Sequence, residues 1–392
     1  MSKKIRLGII GIGNMGSAHA KNVAEGKCPD FELAAVADIN PDRLCWAKEN
    51  LPENVLLYPT AEEMLSSGKI EACIVAVPHY DHPKYAIMCM EKGIHVMVEK
   101  PAGVYTKQVR EMNEAAEKSN VVFGMMFNQR TNCVYRKMRE IVQSGKYGQI
   151  RRTNWIITNW YRPQAYYDSG AWRATWSGEG GGVLLNQCPH QLDLWQWICG
   201  MPKKVEAHLL YGKWHDIEVE DDVTAYVEYE NGATGVFITS TGDAKGSNRF
   251  EIQMDGAKIV VEDDVLSVWE YEMSEPEFSA VNKESFAGPS SKKLEIETDG
   301  KNEQHTGVLN AWGGAILRGT PLVADGKEGI NGLTLSNAMH LSSWLGKTVE
   351  IPFDEELYYN ELMKRVATSR RKTETKAVFA DTSATYGGNS NN

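Results

Sequence analysis

The sequence has no uninterrupted apolar run approaching the ~20 residues that a membrane-spanning helix requires, so no membrane partner is expected. It has no CxxC pair either. Its seven cysteines, at 28, 45, 73, 89, 133, 188 and 199, are odd in number and scattered. That pattern argues against a disulfide framework and for reduced thiols in the cytoplasm. Positive charge is in short supply: 42 Lys and Arg against 52 Asp and Glu leave a formal net charge of -10. This is the wrong balance for a nucleic-acid surface. Metal-ligand spacing is missing as well. The acidic runs EVEDD (218–222) and EDD (262–264) read as charged strand ends and turns, and no metal is expected. The first residues, MSKKIRLGIIGIGNMG, carry two lysines and an apolar run, but glycines interrupt it and charged helical sequence follows. A secretion signal is therefore not expected. What is left is a chain of 392 residues, 42% hydrophobic and 24% charged, with the composition of a globular protein and the length of two domains.

The apolar run Ile5 to Ile10 reads as a strand buried on both faces. It leads into Gly11-Ile12-Gly13-Asn14-Met15-Gly16, then a helical stretch, then a second strand ending at Asp38. Strand, GxGxxG, helix, strand and terminal acid together form the dinucleotide fingerprint in its proper context. The glycines allow a tight turn, close backbone approach to a pyrophosphate and close helix–strand packing, and the helix N-terminus faces the anion. Asp38 is placed to accept hydrogen bonds from ribose hydroxyls and to repel a 2′-phosphate, which favours NAD; Arg43, five residues on, could admit NADP.

Strand and helix keep alternating to residue 128, as a doubly wound parallel sheet does, with ligands at the carboxyl ends of its strands. Pro78, His79 and His82 follow one strand and are assigned to the cofactor loop, with helix capping as the other reading of the two histidines. Glu99-Lys100-Pro101 closes the next, placing a lysine where the nicotinamide half should lie, and Asn128 ends the last. These are all assigned to the cofactor side. Beyond it the chain turns β-rich, and Asn231-Gly232 and Asp255-Gly256 sit between alternating apolar runs as hairpin signals. The expected organisation is α/β: residues 1–127 a dinucleotide-binding domain, 128–370 a substrate-binding and oligomerisation domain with a large antiparallel sheet, and 371–392 a polar tail.

The stretch GGGVLLNQCPHQLD (180–193) raises a separate question. Read as one helix over 183–198, it is apolar over most of its circumference, with Asn186, His190, Asp193 and Trp197 in a stripe of roughly 60°. Pro189 should kink or restart that helix. Cys188 and His190 lack a second ligand pair, so metal is set aside. A histidine hydrogen-bonded in the core and a histidine in proton transfer both remain open.

The residues GIGNMG, EKP at 99–101 and GGGVLLNQCPHQLD, in this order, resemble the glucose–fructose oxidoreductase, inositol dehydrogenase and rhizopine-catabolism (Gfo/Idh/MocA) family. The resemblance implies an N-terminal Rossmann domain and a C-terminal α+β domain whose large, mostly antiparallel open sheet often serves oligomerisation, hence a homo-oligomer, dimer or tetramer. It implies that Lys100 is the catalytic-site lysine, that His190 is its partner in proton transfer, and that Trp172-Arg173 meets the nicotinamide end of the cofactor. The family often has Asp where this chain has Asn186. An amide can orient an imidazole or bind a hydroxyl but adds no charge. Asp193 could supply the carboxylate instead or act as a structural partner.

Six of the eleven tryptophans fall between 155 and 197, with Tyr161, Tyr166 and Tyr167 among them. With Arg162 and Arg173 they suit a polyhydroxylated ring, a carbohydrate or cyclitol, whose C–H face aromatics cover. Packing is the competing reading for each aromatic. Lys100, Arg130, Tyr161, Arg162, Tyr167, Asn186 and His190 are the candidate substrate contacts. The expected function is NAD-dependent oxidation of a secondary ring hydroxyl to a ketone, with a lean towards C3 of a glucoside. The alternatives are a redox-neutral hydrolase or lyase that uses NAD transiently, and a non-catalytic NAD-sensing protein.

Overall fold

The computed structural model describes residues 3–370, so the expected polar tail at 371–392 lies outside the described residues. Six short strands form the first sheet: β1 (Ile5–Ile10), β2 (Phe31–Ala37), β3 (Leu56–Tyr58), β4 (Ala72–Val75), β5 (His95–Val98) and β6 (Phe123–Met125). Their order is β3-β2-β1-β4-β5-β6, all parallel, so the chain reverses direction across the sheet between β1 and β4. β4 is buried at every position, as an apolar run covered on both faces should be.

The second sheet has nine strands: β7 (Ile150–Ile157), β8 (Lys204–Tyr211), β9 (Glu220–Glu228), β10 (Thr234–Ser240), β11 (Asn248–Met254), β12 (Ala257–Glu262), β13 (Val265–Tyr271), β14 (Ser291–Glu295) and β15 (Val349–Glu350). The order is β14-β13-β12-β11-β7-β10-β9-β8-β15, antiparallel except where β7 pairs with β10. Asn231-Gly232 and Asp255-Gly256 fall in hairpin loops, as their sequence signals predict. The EDD run is a turn too. Asp263 and Asp264, at φ of 50° and 59°, make the tight connection between β12 and β13, a geometry that Asp tolerates better than bulky residues.

One face of this sheet carries the core, where Trp155 stacks on Phe250 (4.2 Å) and Trp195 on Phe237 (5.4 Å). Trp155, Trp176 and Trp195 are all buried, so half of the tryptophan cluster is packing, and Trp160, Trp172 and Trp197 are half-buried. The 128–370 segment is not confined to the second sheet. The helix Gln304–Arg318 returns to the first, where Trp312 stacks on Phe31 (5.1 Å) and Arg318 pairs with Asp30 (2.6 Å).

Candidate active site

The turn after β1 is built for close approach. Gly11 has φ of 83°, and a Cβ on Gly16 would stand 1.9 Å from the Gly11 carbonyl oxygen. At Gly13, by contrast, a Cβ would meet nothing within 4 Å, so the turn opens onto free space. The helix Asn14–Ala24 that follows has neither a side-chain cap nor an acid in its first turn. Its N–H groups and dipole are left to an anion, and half-buried Asn14 and Met15 flank the opening. A dinucleotide pyrophosphate fits that cradle. Asp38 accepts the N–H groups of Ile12 and Asn40, both at 2.8 Å, and keeps lone pairs for further donors. Arg43 departs from expectation. Its Nε donates to the Ile12 carbonyl (2.6 Å) and its guanidinium lies on Trp46 (4.7 Å), so it braces the glycine turn from inside instead of facing a 2′-phosphate.

Pro78 is exposed at the end of β4, and His79 and His82 behind it are buried. His82 sits between the carbonyl oxygens of Pro101 (2.6 Å) and Val77 (2.8 Å) and ties the two strand-end loops together. It is a clamp within the protein, not an open cofactor contact. His79 lies edge-on to Trp172 (5.7 Å), and its Nδ1 is 3.3 Å from the Glu179 carbonyl oxygen.

Lys100 projects from the end of β5, and its Nζ donates to the backbone carbonyl of Asn186 (2.9 Å). Burial pushes the Lys100 pKa below the usual lysine range, against the pull of Glu99, Tyr166 and Glu179. His190 is buried near the Phe127 ring (6.3 Å). Burial, helped by Lys100 and His305, holds its pKa well below the usual histidine value, which favours the neutral imidazole. Behind the lysine, Glu99 meets His19 (2.6 Å), and His305 lies edge-on to His19 (5.5 Å). Burial pushes Glu99 up, but His19, His305 and Lys100 outweigh it and draw it down to about 2. Asn186 uses its side chain twice: its amide donates to Glu179, and its oxygen accepts from the Tyr166 hydroxyl (3.3 Å). Arg173 donates to the same hydroxyl (2.9 Å) and stacks on Tyr166 and Trp172, both at 4.6 Å.

The three glycines hold this assembly against β9. Gly180 has φ of 82°, and a Cβ on Gly182 would lie 2.0 Å from the Glu220 carbonyl oxygen. Glu220 is fully buried and accepts the N–H groups of Gly182 (2.8 Å) and Leu184 (3.0 Å), with His340 behind it at 3.0 Å. Asp221, also fully buried, takes the N–H groups of Lys213, Trp214 and His215. The EVEDD run does lie at a strand end, the start of β9, and there Glu220 and Asp221 are buried as internal braces. Among the described residues no His, Cys, Asp or Glu group of three or more is arranged to hold a metal ion.

The expected helix over 183–198 begins only at Pro189; residues 182–188 form turns, with Asn186 N–H bonded to the Gly182 carbonyl (2.9 Å). Pro189 opens the helix as its first residue, where its missing N–H costs nothing, so it introduces no kink. Asn186 thus leaves the helical stripe, yet reaches the site from the turn. Asp193 does not face His190. It forms a two-bonded pair with Arg130 (2.7 and 2.8 Å), and Arg130 also reaches Glu328 (2.7 Å). Both side chains are 1% exposed and are engaged within the protein, on each other and on Glu328 and Gln196. Tyr167 also turns inward, its hydroxyl bonded to Thr241 (2.7 Å) and its ring against His215 (4.9 Å), while its neighbour Tyr166 faces Asn186. Tyr161 is exposed, and Arg162 lies over Trp160 (5.6 Å) and Tyr166 (5.2 Å). Asn128 is fully buried with its amide on Gln304.

Known proteins match these features in both halves. Residues 5–127 match the oxidoreductase family with NAD-binding Rossmann fold, and residues 135–260 match the GFO/IDH/MocA C-terminal domain. The chain is 29% identical to D-glucoside 3-dehydrogenase of Escherichia coli K12, over 59% of this chain and 68% of that protein. It is 26% identical to myo-inositol 2-dehydrogenase of Thermotoga maritima, over 65% and 73%. Of the rhizopine catabolism protein MocA of Rhizobium meliloti it spans 58%. Its fold matches the WlbA dehydrogenase of Bordetella pertussis, solved with NADH and UDP-GlcNAcA, with a TM-score of 0.77 at 23% identity, covering 90% of this chain and 99% of that one.

Proposed function

The chain belongs to the Gfo/Idh/MocA family of NAD-binding oxidoreductases, and from that premise we propose that it oxidises a secondary ring hydroxyl of a sugar, glycoside or cyclitol to the ketone. The observation that carries this reading is Lys100: an amine of depressed proton affinity, at the carboxyl end of a dinucleotide-sheet strand, beside a buried neutral histidine. The hydroxyl proton passes to Lys100 or His190, the carbinol hydrogen leaves as hydride with the C–H bonding pair, and the O–H pair closes the C=O bond. NAD, when bound, supplies the acceptor for that hydride. Gly13 and the uncapped helix behind it bind the pyrophosphate, and Asp38 the ribose. Tyr166, Arg173 and Trp172 line the substrate side with the Asn186 amide, and Arg162 and Tyr161 stand at its rim.

The E. coli relative acts on D-glucosides at C3 and the Thermotoga relative on myo-inositol, which supports a neutral polyhydroxylated ring and leaves C3 of a glucoside as our specific proposal. We take the first domain to end at residue 127. Seven free cysteines support a cytoplasmic setting. The exposed apolar side chains Ile156, Leu210 and Tyr226 on the second sheet support a homo-oligomer, which sedimentation would contradict by finding a monomer at micromolar concentration.

The test is a screen of sugars, glycosides and inositols with NAD and NADP, followed by NADH absorbance. Accumulating NADH with one substrate class supports the oxidoreductase. Product formed without NADH accumulation would replace it with the redox-neutral hydrolase or lyase, and binding without turnover with the NAD-sensing protein.

A further inference from the structure

Glu179 lies beneath the site and has no part in the proton transfer above. It is 2% exposed, and each of its carboxylate oxygens has a donor, the Ala174 N–H (2.6 Å) on one and the Asn186 side-chain amide on the other. Two N–H donors on two oxygens are what an ionised carboxylate accepts. Burial raises the Glu179 pKa, and Arg173, Ala174 and Asn186 draw it back down only in part. The same Asn186 receives the Lys100 ammonium on its backbone carbonyl and the Tyr166 hydroxyl on its side-chain oxygen. Carboxylate, amide, carbonyl and ammonium thus form one connected chain.

We propose that Glu179 is the positioning residue for Lys100: through Asn186 it fixes the carbonyl that receives the ammonium, and its buried negative charge sustains the proton affinity of the amine. This rests on Lys100 being the acid/base group. The groups acting on Lys100 come from every element around it. Glu99 and Tyr166 act in the same direction as Glu179, and Arg173 acts against them. His79, His82, His190 and His305 are all pushed towards their neutral forms by burial, so they do not cancel Glu179. The pairing also accounts for an amide at 186. A carboxylate there would abut Glu179 and set a second negative charge against the first, which repulsion and burial make costly.

The experiment is an exchange of the two side chains, read on Lys100 itself. The rate of Lys100 acetylation by acetic anhydride is followed against pH by mass spectrometry in the unaltered protein, Glu179→Gln, Asn186→Asp and the double variant. No substrate is needed, so an inactive protein overturns the proposed function while this readout still decides the role of Glu179. Glu179→Gln should lower the pH at which Lys100 titrates by about one unit. The double variant, with the carboxylate moved to 186 and an amide facing it, should return the titration to within about half a unit of the unaltered protein. Where activity is found, the pH profile of kcat/KM should move with it. If Glu179→Gln alone does not fold, Asn186→Asp and the double variant decide: the single should titrate higher and the double should come back. Lys100 titrating at one pH in all the folded variants, or a double variant no closer than the single, overturns the proposal.

Discussion

Lys100 and Asp193 show how two charged residues from the same motif set reach opposite ends. Lys100 emerges at a strand end where its side chain is half-buried, and burial lowers its proton affinity. Asp193 sits one turn along the helix from His190 yet points into the protein, where Arg130 takes both of its oxygens. Removing one partner of a buried ion pair strands the other charge. Asp193→Asn should therefore cost about 3–5 kcal/mol of stability, read by denaturant unfolding. Activity per folded molecule should stay near normal at low temperature. A stable variant with lost turnover would return Asp193 to the catalytic group.

Two glycine turns, one in each half of the chain, look alike in sequence and work differently. A Cβ at Gly13 meets open space, whereas a Cβ at Gly182 meets the Glu220 backbone at 2.0 Å. Gly182→Ala should destabilise the protein by about 1–3 kcal/mol through that clash. Gly13→Ala should leave the melting temperature unchanged and weaken NAD binding, because the added methyl occupies the pyrophosphate cradle. Thermal melts and NADH titration of the two variants distinguish the roles, and equal effects on both readouts would contradict them. The first sheet was legible because buried parallel strands and GxGxxG leave local signals. The second turn was not. Its glycines answer to Glu220, 38 residues away, and Glu179 stands before them as a lone acid in what reads as a loop. Likewise Tyr166 and Tyr167 are adjacent and alike, and only the tertiary packing decides which one faces Asn186 and which one Thr241.

At the scale of the whole molecule, the site lies where the two sheets share helices. His305, from the helix that returns to cover the first sheet, meets His19 from the helix after the glycine turn, and His19 meets Glu99 beside Lys100. This contact joins distant parts of the chain, which is why no local pattern announced it. Glu99 lies at about 2 instead of its ordinary 4.5. A carboxylate depressed on folding contributes stability that is fully present above the unfolded value and is lost as pH falls towards the folded one. Stability should thus fall between pH 4.5 and about 2, by on the order of 3 kcal/mol from this group. Glu99→Gln should flatten that part of the stability curve, and an unchanged acid limb would assign the loss elsewhere.

The most direct test of the account is hydride transfer in Lys100→Ala, measured as NADH formation on the substrate class found by screening, with NADH affinity measured alongside. Turnover should fall by roughly 10²–10⁴-fold while NADH affinity is largely kept, since the proposal gives the proton to the lysine and the cofactor to the glycine turn. Near-normal turnover in Lys100→Ala would contradict it.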